Sequence, residues 1–141
     1  MADPYAAVPS ASPYANWGQR VLAYIIDIAP IVIIDVVFYR ISFLVGLLLS
    51  LAALGWTIYN RWYRGGVTGH SLGKKVLHLR LVSEETGQPI GALMAFVRDI
   101  CHIVDAVICY VGFLFPLWDA KRQTLADKIV RTVVIPDGNG F

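Results

Sequence analysis

Two apolar runs stand almost end to end near the start of the chain. They are VLAYIIDIAPIVIIDVVFY at 21–39 and ISFLVGLLLSLAALGWTIYN at 41–60, with only Arg40 between them. A helix of about 20 apolar residues matches a bilayer core about 30 Å thick. These runs constrain the fold more than any other feature: each reads as a membrane span. The rest of the composition agrees. Hydrophobic residues make up 57% and charged residues 16%, with mean hydropathy +0.59. A soluble domain carries about 25% charged residues. The 141 residues amount to one domain. A net charge of +2, without basic residues interleaved with aromatics, gives no basis for a nucleic-acid partner.

The first span carries Asp27, Pro30 and Asp35. A proline inside a helix removes a hydrogen bond and favours a kink, which membrane helices tolerate when neighbours restore the bond. The second span closes on Trp56, Tyr59, Trp62 and Tyr63, an interfacial aromatic group followed by basic residues. Its Gly46, Ser50, Ala53 and Gly55 suit close helix packing. The polar stretch 65–91 alternates Leu77, Leu79 and Leu81 with His78 and Arg80, a strand pattern, and turns around Gly87. With Arg61, Arg64, Lys74, Lys75 and Arg80 it is the basic loop. The positive-inside rule puts such a loop in the cytoplasm, and the N-terminus with it.

Residues 92–118 begin as an amphipathic segment with Arg98, Asp99, His102 and Asp105. They end in thirteen apolar residues, about 20 Å of helix, which is short for a crossing. A crossing here would also export the basic segment holding Lys121, Arg122, Lys128 and Arg131. The favoured expectation is a re-entrant or interfacial segment, with Thr132–Ile135 forming a strand beside Val76–Val82; a third crossing is the rival. The expected fold is therefore an all-α membrane protein. It has two transmembrane helices, a third helical segment and a small cytoplasmic β element. The domain spans 17–136, between a Pro/Ala/Ser/Tyr-rich tail at 1–16 and a short tail at 137–141. The first sixteen residues lack a basic region followed by an apolar one, so the first apolar run is expected to stay as an anchor. Ordering that tail would take a partner, since it has too little apolar surface of its own.

Arg20 and Asp27 are seven residues apart, and so are Arg98 and Asp105. RVLAYIID and RDICHIVD form a short internal echo. Seven residues span about 10 Å along a helix, too far for an i,i+4 pair. Each Arg is thus expected to snorkel or to pair across segments: Arg20 with Asp99 or Asp105, Arg98 with Asp27. A carboxylate in hydrocarbon costs at least about 2.5 kcal/mol. Asp27 and Asp35 read either as an interhelical polar lock, the favoured reading, or as an ion or proton relay. His70, His78 and His102 lack metal-ligand spacing, and no metal or cofactor is expected. Cys101 and Cys109, about 12 Å apart on a continuous helix, read as buried thiols rather than a disulfide. Thr68–Lys75 lacks the phosphate-loop form and reads as a helix or turn start; the alternative is contact with anionic lipid heads through Lys74, Lys75 and Arg80. No Ser–His–Asp set or carboxylate pair stands out for catalysis.

Together these residues resemble the RDD family of bacterial membrane proteins. RVLAYIID is similar to its first motif through Arg20 and Asp27. TGHSLGKKVLHLRLV resembles its loop through Thr68, Gly73 and Lys74, and FVRDICHIVD the motif of its later arginine through Arg98. KRQTLADKIVRTVVI resembles its closing segment through Arg122, Gln123, Thr124, Asp127, Thr132 and Val133. Asp127 would be the second aspartate of the family's name. Arg131 stands where the family often has Gly, which argues against a tight turn there. The resemblance implies a bacterial cell-membrane location, and some members are implicated in cation–proton antiport; nothing in the sequence points to an enzyme. The expected role is a non-catalytic accessory subunit of a larger membrane complex, a respiratory or other envelope complex being a natural host. The tail would act as a clamp, and the loop and C-terminal segment as docking surfaces. The alternative is a secondary transporter using Asp27 and Asp35. Two spans cannot enclose a path, so that reading requires a homo-oligomer.

Overall fold

The computed structural model describes residues 13–137. The expected clamp formed by the N-terminal tail, and residues 138–141, lie outside the described residues. Helix α1 runs Trp17–Tyr39 and starts four residues before the apolar run, because Asn16 caps it. The Asn16 side chain accepts from the Gln19 amide at 2.8 Å, and the Gln19 side chain accepts from the Asn16 amide at 3.0 Å. The helix continues through Pro30 without interruption.

Helix α2, Phe43–Thr57, is followed without a break by a π-helical segment, Ile58–Arg64, and by α3, Gly65–Thr68. Among the described residues, two helices are long and apolar enough to cross a membrane: Trp17–Tyr39 and Phe43–Thr68. Val32, Ile33, Val36, Leu44, Leu48 and Leu51 are exposed along them, as on lipid-facing helices. Gly46 sits under the Tyr39 ring, so the small face expected on the second span is used there. Gly55 has open space around it.

The remainder packs against one end of this hairpin. Helix α4, Leu72–Val76, precedes strand β1, Leu79–Ser83. Helix α5, Ala92–Val107, is followed by α6, Val111–Leu114, and a 3-10 turn, Phe115–Leu117, with a bend of 108° between α5 and the residues after it. Helix α7, Leu125–Val130, leads into β2, Thr132–Pro136. The strands pair antiparallel, Leu79 opposite Pro136 and Ser83 opposite Thr132. This is the strand pairing that the alternation suggested, begun three residues later than expected because α4 occupies Leu72–Val76. Leu79, Leu81 and Val134 form the small core with Ala15 and Ala23.

Three expectations need correction. The cysteines are not both buried: Cys101, within α5, is half-buried, and Cys109 is exposed because α5 ends at Val107, before it. Both thiols are free. The tight turn before Thr132 is present although Arg131 replaces glycine: Arg131 takes the left-handed conformation, φ 52° and ψ 57°, a strained choice for a residue with a Cβ. Amides of the loop ends hold it in place, since Glu84 donates to the Arg131 carbonyl at 2.9 Å. The expected pairing of Arg20 and Arg98 with other acids also differs, as described below.

Gly73 is where α4 meets α1. A Cβ there would come within 1.9 Å of the Ala23 carbonyl oxygen, a backbone atom that cannot swing aside. Gly73→Ala is therefore expected to cost about 1–3 kcal/mol or more through overpacking. Gly55→Ala, with no atom nearby, should be neutral or gain up to about 1 kcal/mol. Thermal midpoints of the two variants in detergent check the contrast.

Candidate functional site

The buried polar groups gather among α1, the π-helical segment, the start of α4, α5 and α7. Two clusters and one bridging pair make up this junction.

Asp127 is the centre of the first cluster and is fully buried. It is the third residue of α7 and closes a capping box with Thr124: the Asp127 amide donates to Thr124 Oγ1 at 3.1 Å and the Thr124 amide to Asp127 Oδ2 at 3.2 Å. This fixes the carboxylate. Arg98 Nε then donates to Oδ1 at 2.6 Å, and Thr132 Oγ1 donates to the same oxygen at 3.2 Å. Arg20 donates through Nη2 to Oδ2, and through Nη1 to the Arg122 carbonyl. One acid thus serves both arginines. Burial pushes the Asp127 carboxyl up, but the Arg20 and Arg98 guanidiniums outweigh it and hold it well below the usual carboxylate range. Gln123 extends the cluster, donating to the Thr132 carbonyl and to Glu84, each at 2.9 Å.

Asp27 is the centre of the second cluster, and no arginine reaches it. Asn60 Nδ2 donates to it at 2.9 Å, Ser71 Oγ at 2.6 Å and the Gly73 amide at 2.8 Å. Asn60 Oδ1 accepts from the Leu72 amide at 2.8 Å. The pair Asp27 and Asn60 therefore clasps the first turn of α4 onto the membrane hairpin. Lys74 lies beside it, with Nζ 3.4 Å from Ser71 Oγ. Burial, together with the Arg98 guanidinium, pushes the Lys74 ammonium down to about 8.

Asp99 joins α5 to the π-helical segment. It accepts from Arg61 Nη2 at 2.8 Å and Trp62 Nε1 at 2.9 Å. The π-helical turn aims these two consecutive residues at one carboxylate while Asn60, just before them, faces Asp27. Such turns are frequent at functional sites. Asp105 accepts from the Leu125 amide at 3.1 Å and sits 2.6 Å from His102 Nδ1.

The junction unites Arg20, Asp27, Gly73, Lys74, Arg98, Asp99, Asp105, Arg122, Asp127 and Thr132, but in different pairs from those expected. Arg20 pairs with Asp127 rather than Asp99 or Asp105, and Arg98 with Asp127 rather than Asp27. The physical reason is that amides and neutral side chains already satisfy Asp27 and much of Asp105, while the capped Asp127 offers both of its oxygens. Thr68 lies at the edge; its hydroxyl donates to the Arg64 carbonyl at 2.7 Å and ends α3. Asp35 stands apart. It is eight residues, about 12 Å, beyond Asp27 on α1, and among the described residues accepts from Ser50 Oγ alone, at 3.2 Å. Residues 28–34 place no polar side chain between the two acids. Asn60, Ser71 and the Arg61–Trp62 pair are members the sequence reading did not place at the site, while Thr124 entered only through the family resemblance. A hydroxyl residue three before a helical Lys or Asp, as in SLGK and TLAD, was the available signal.

The order of these elements, with an arginine and an aspartate on α1 and the second acid on α7, matches a known pattern: the profile of the RDD family covers residues 14–131. The chain belongs to the RDD family. Among curated relatives it is similar to the proline-rich antigen homologs of two Mycobacterium tuberculosis strains, at 45% identity over 87% of this chain and 63% of theirs. It is also similar to the proline-rich antigen of Mycobacterium leprae, at 42% identity over 87% of this chain and 61% of that protein. The chain thus spans less than two thirds of the length of the curated relatives it matches. No solved structure matches it. RDD membership and the two apolar helices make this a membrane protein.

Removing one partner of a buried charge cluster leaves the others uncompensated, which costs about 3–5 kcal/mol. Asp127→Asn should lose about that much in a detergent unfolding assay. The pH dependence has a definite sign. The folded carboxyl titrates below its unfolded value of about 3.9, so its contribution is complete above about pH 4 and falls away as the pH drops below that. The wild type should lose stability in that acid range with a steeper slope than Asp127→Asn.

Proposed function

We propose that the chain is a non-catalytic scaffold: a membrane-anchored accessory subunit that presents a rigid polar lobe at the cytoplasmic face to a larger membrane complex, with a respiratory or other envelope complex as host. The observation that carries this reading is the saturation of the junction. Asp27, Asp99, Asp105 and Asp127 each take donors from another element of the same chain. Such groups fix geometry rather than carry a cargo.

Contacts near the start of α1 support a reading of the topology. Trp17 Nε1 donates to the Phe113 carbonyl at 2.9 Å, and Arg20 meets Arg122 and Asp127. Residues 98–127 therefore leave from and return to the level where α1 begins. This favours a re-entrant or interfacial segment over a crossing. Of the 12 Lys and Arg residues, only Arg40 lies at the far end of the α1–α2 hairpin. The positive-inside rule then places the lobe and the start of α1 in the cytoplasm, in a bacterial inner membrane.

Purification in mild detergent from its native membrane should bring down a stoichiometric partner. Elution of the chain alone would overturn the scaffold reading. One observation favours the second reading, cation or proton transport by an oligomer: Asp35 is half-buried in the membrane hairpin with a single hydroxyl donor. On that reading, reconstituted vesicles with a pH-sensitive dye give a cation-driven signal that Asp35→Asn abolishes. An absent or unchanged signal rejects it.

A further inference from the structure

The echo between RVLAYIID and RDICHIVD is one part of a longer repeat. Gly69–Ser83, GHSLGKKVLHLRLVS, matches Arg122–Pro136, RQTLADKIVRTVVIP, without a gap. The match extends to backbone conformation. Gly69 and Arg122 open the two segments in the left-handed region, at φ 80° and 51°. Ser71 and Thr124 cap the short helices at φ/ψ of −74°/169° and −73°/170°, each accepting from the amide three residues on. His78 and Arg131 turn each chain into its strand, both at φ 52°. The strand register obeys the same relation. Leu81 pairs with Val134, its own counterpart, while Leu79–Pro136 and Thr132–Ser83 are copies of one another. A two-fold axis through the Leu81–Val134 pair generates that pattern.

The helices preceding these segments follow suit. Asp27 of α1 accepts an amide from the first turn of α4, and Asp105 of α5 one from the first turn of α7. Arg20 and Arg98 converge on Asp127. Each returning limb packs on its aspartate: Asn60 bonds Asp27, and a Cβ on Gly112 would strike Asp105. The halves differ in length and in one charge. Helix α5 ends at Val107, so the break at Ile108 falls at the counterpart of Pro30. Lys74 holds the place of Asp127, which is why one acid serves both arginines.

We propose that the chain is one unit built twice about a pseudo-two-fold axis along the membrane normal, and that α5 with α6 is a shortened second hairpin that inserts into the same lipid leaflet, in the same sense, as the first turns of α1. The occupant of its outer face is acyl chain. Ile100 and Ile103, 47% and 60% exposed, are the counterparts of Leu22 and Ile25, 47% and 48% exposed on a helix built to meet lipid. This rests on the reading that 92–117 returns to the face it leaves, and adds a direction and a depth to it.

Nitroxide labels at positions 22, 25, 100 and 103 test it, in a Cys101→Ser, Cys109→Ser background reconstituted in liposomes. All four sites are exposed, so the labels leave the buried junction intact. Collision with oxygen and with a water-soluble nickel chelate gives the depth of each. The expected result is equal depth for 22 and 100, equal depth for 25 and 103, and the second pair deeper by about 4–5 Å, the rise of three helical residues. Equal depth at 100 and 103 would make α5 a flat surface helix; that overturns the repeat geometry and leaves the non-crossing topology standing. A shallower 103 than 100 would sink both. Shielding of 100 and 103 from both reagents would replace lipid by a second copy or a partner helix and overturn the proposal.

Discussion

Compensation of a single buried carboxylate organises this protein. Asp127 draws Arg20 from the first helix and Arg98 from the fifth onto its two oxygens, and its capping box ties it to the chain entering β2. Remove that acid and two guanidiniums face each other in a buried site. Their mutual repulsion would act on the contact that joins α1, α5 and α7. The rest of the lobe is secondary to this contact: Gln123 and Glu84 extend it outward, while Asp105 aligns the turn that delivers it.

The Asp27 clasp works by a different principle. It stabilises a carboxylate with three neutral donors rather than a cation, and therefore gains directionality more than raw attraction. Direction matters because Gly73 must lie against the α1 backbone at a distance no side chain allows. One acid fixes where the hairpins meet; the other fixes how closely the loop approaches. Lys74 stands between them as a cation with no acid of its own, in the position that a strictly symmetric unit would give to an aspartate.

The membrane hairpin was readable because length and hydropathy report directly on lipid. The strand pair was readable because Leu77, Leu79 and Leu81 alternate with polar residues. The arginines and aspartates of the junction were readable as residues that need partners, and the RDD resemblance drew Asp127 in. Their pairing was not readable. Which acid an arginine meets depends on the path of the chain between them, and the sharp bend after Val107 is set by no proline or glycine. Cys109 and Tyr110 take left-handed conformations that their side chains do not advertise. Asn60 was hidden for a similar reason: a π-helical turn rotates it away from the face that α-helical counting would assign it. The left-handed Arg131 shows the converse. A substitution that argues against a turn was overruled by the amide of Glu84 waiting for its carbonyl.

The distance along the chain between Arg20 and Asp127, 107 residues, has a bearing on biogenesis. Ribosomes add about 5–20 residues per second, so Arg20 at the start of α1 is made some 5–20 seconds before the acid that neutralises it. The β1–β2 ladder likewise closes only once β2, Thr132–Pro136, has emerged. During that interval the first hairpin must be held at the lipid boundary with its guanidinium still hydrated. Emergence of α7 supplies the acid that neutralises it and ends that interval.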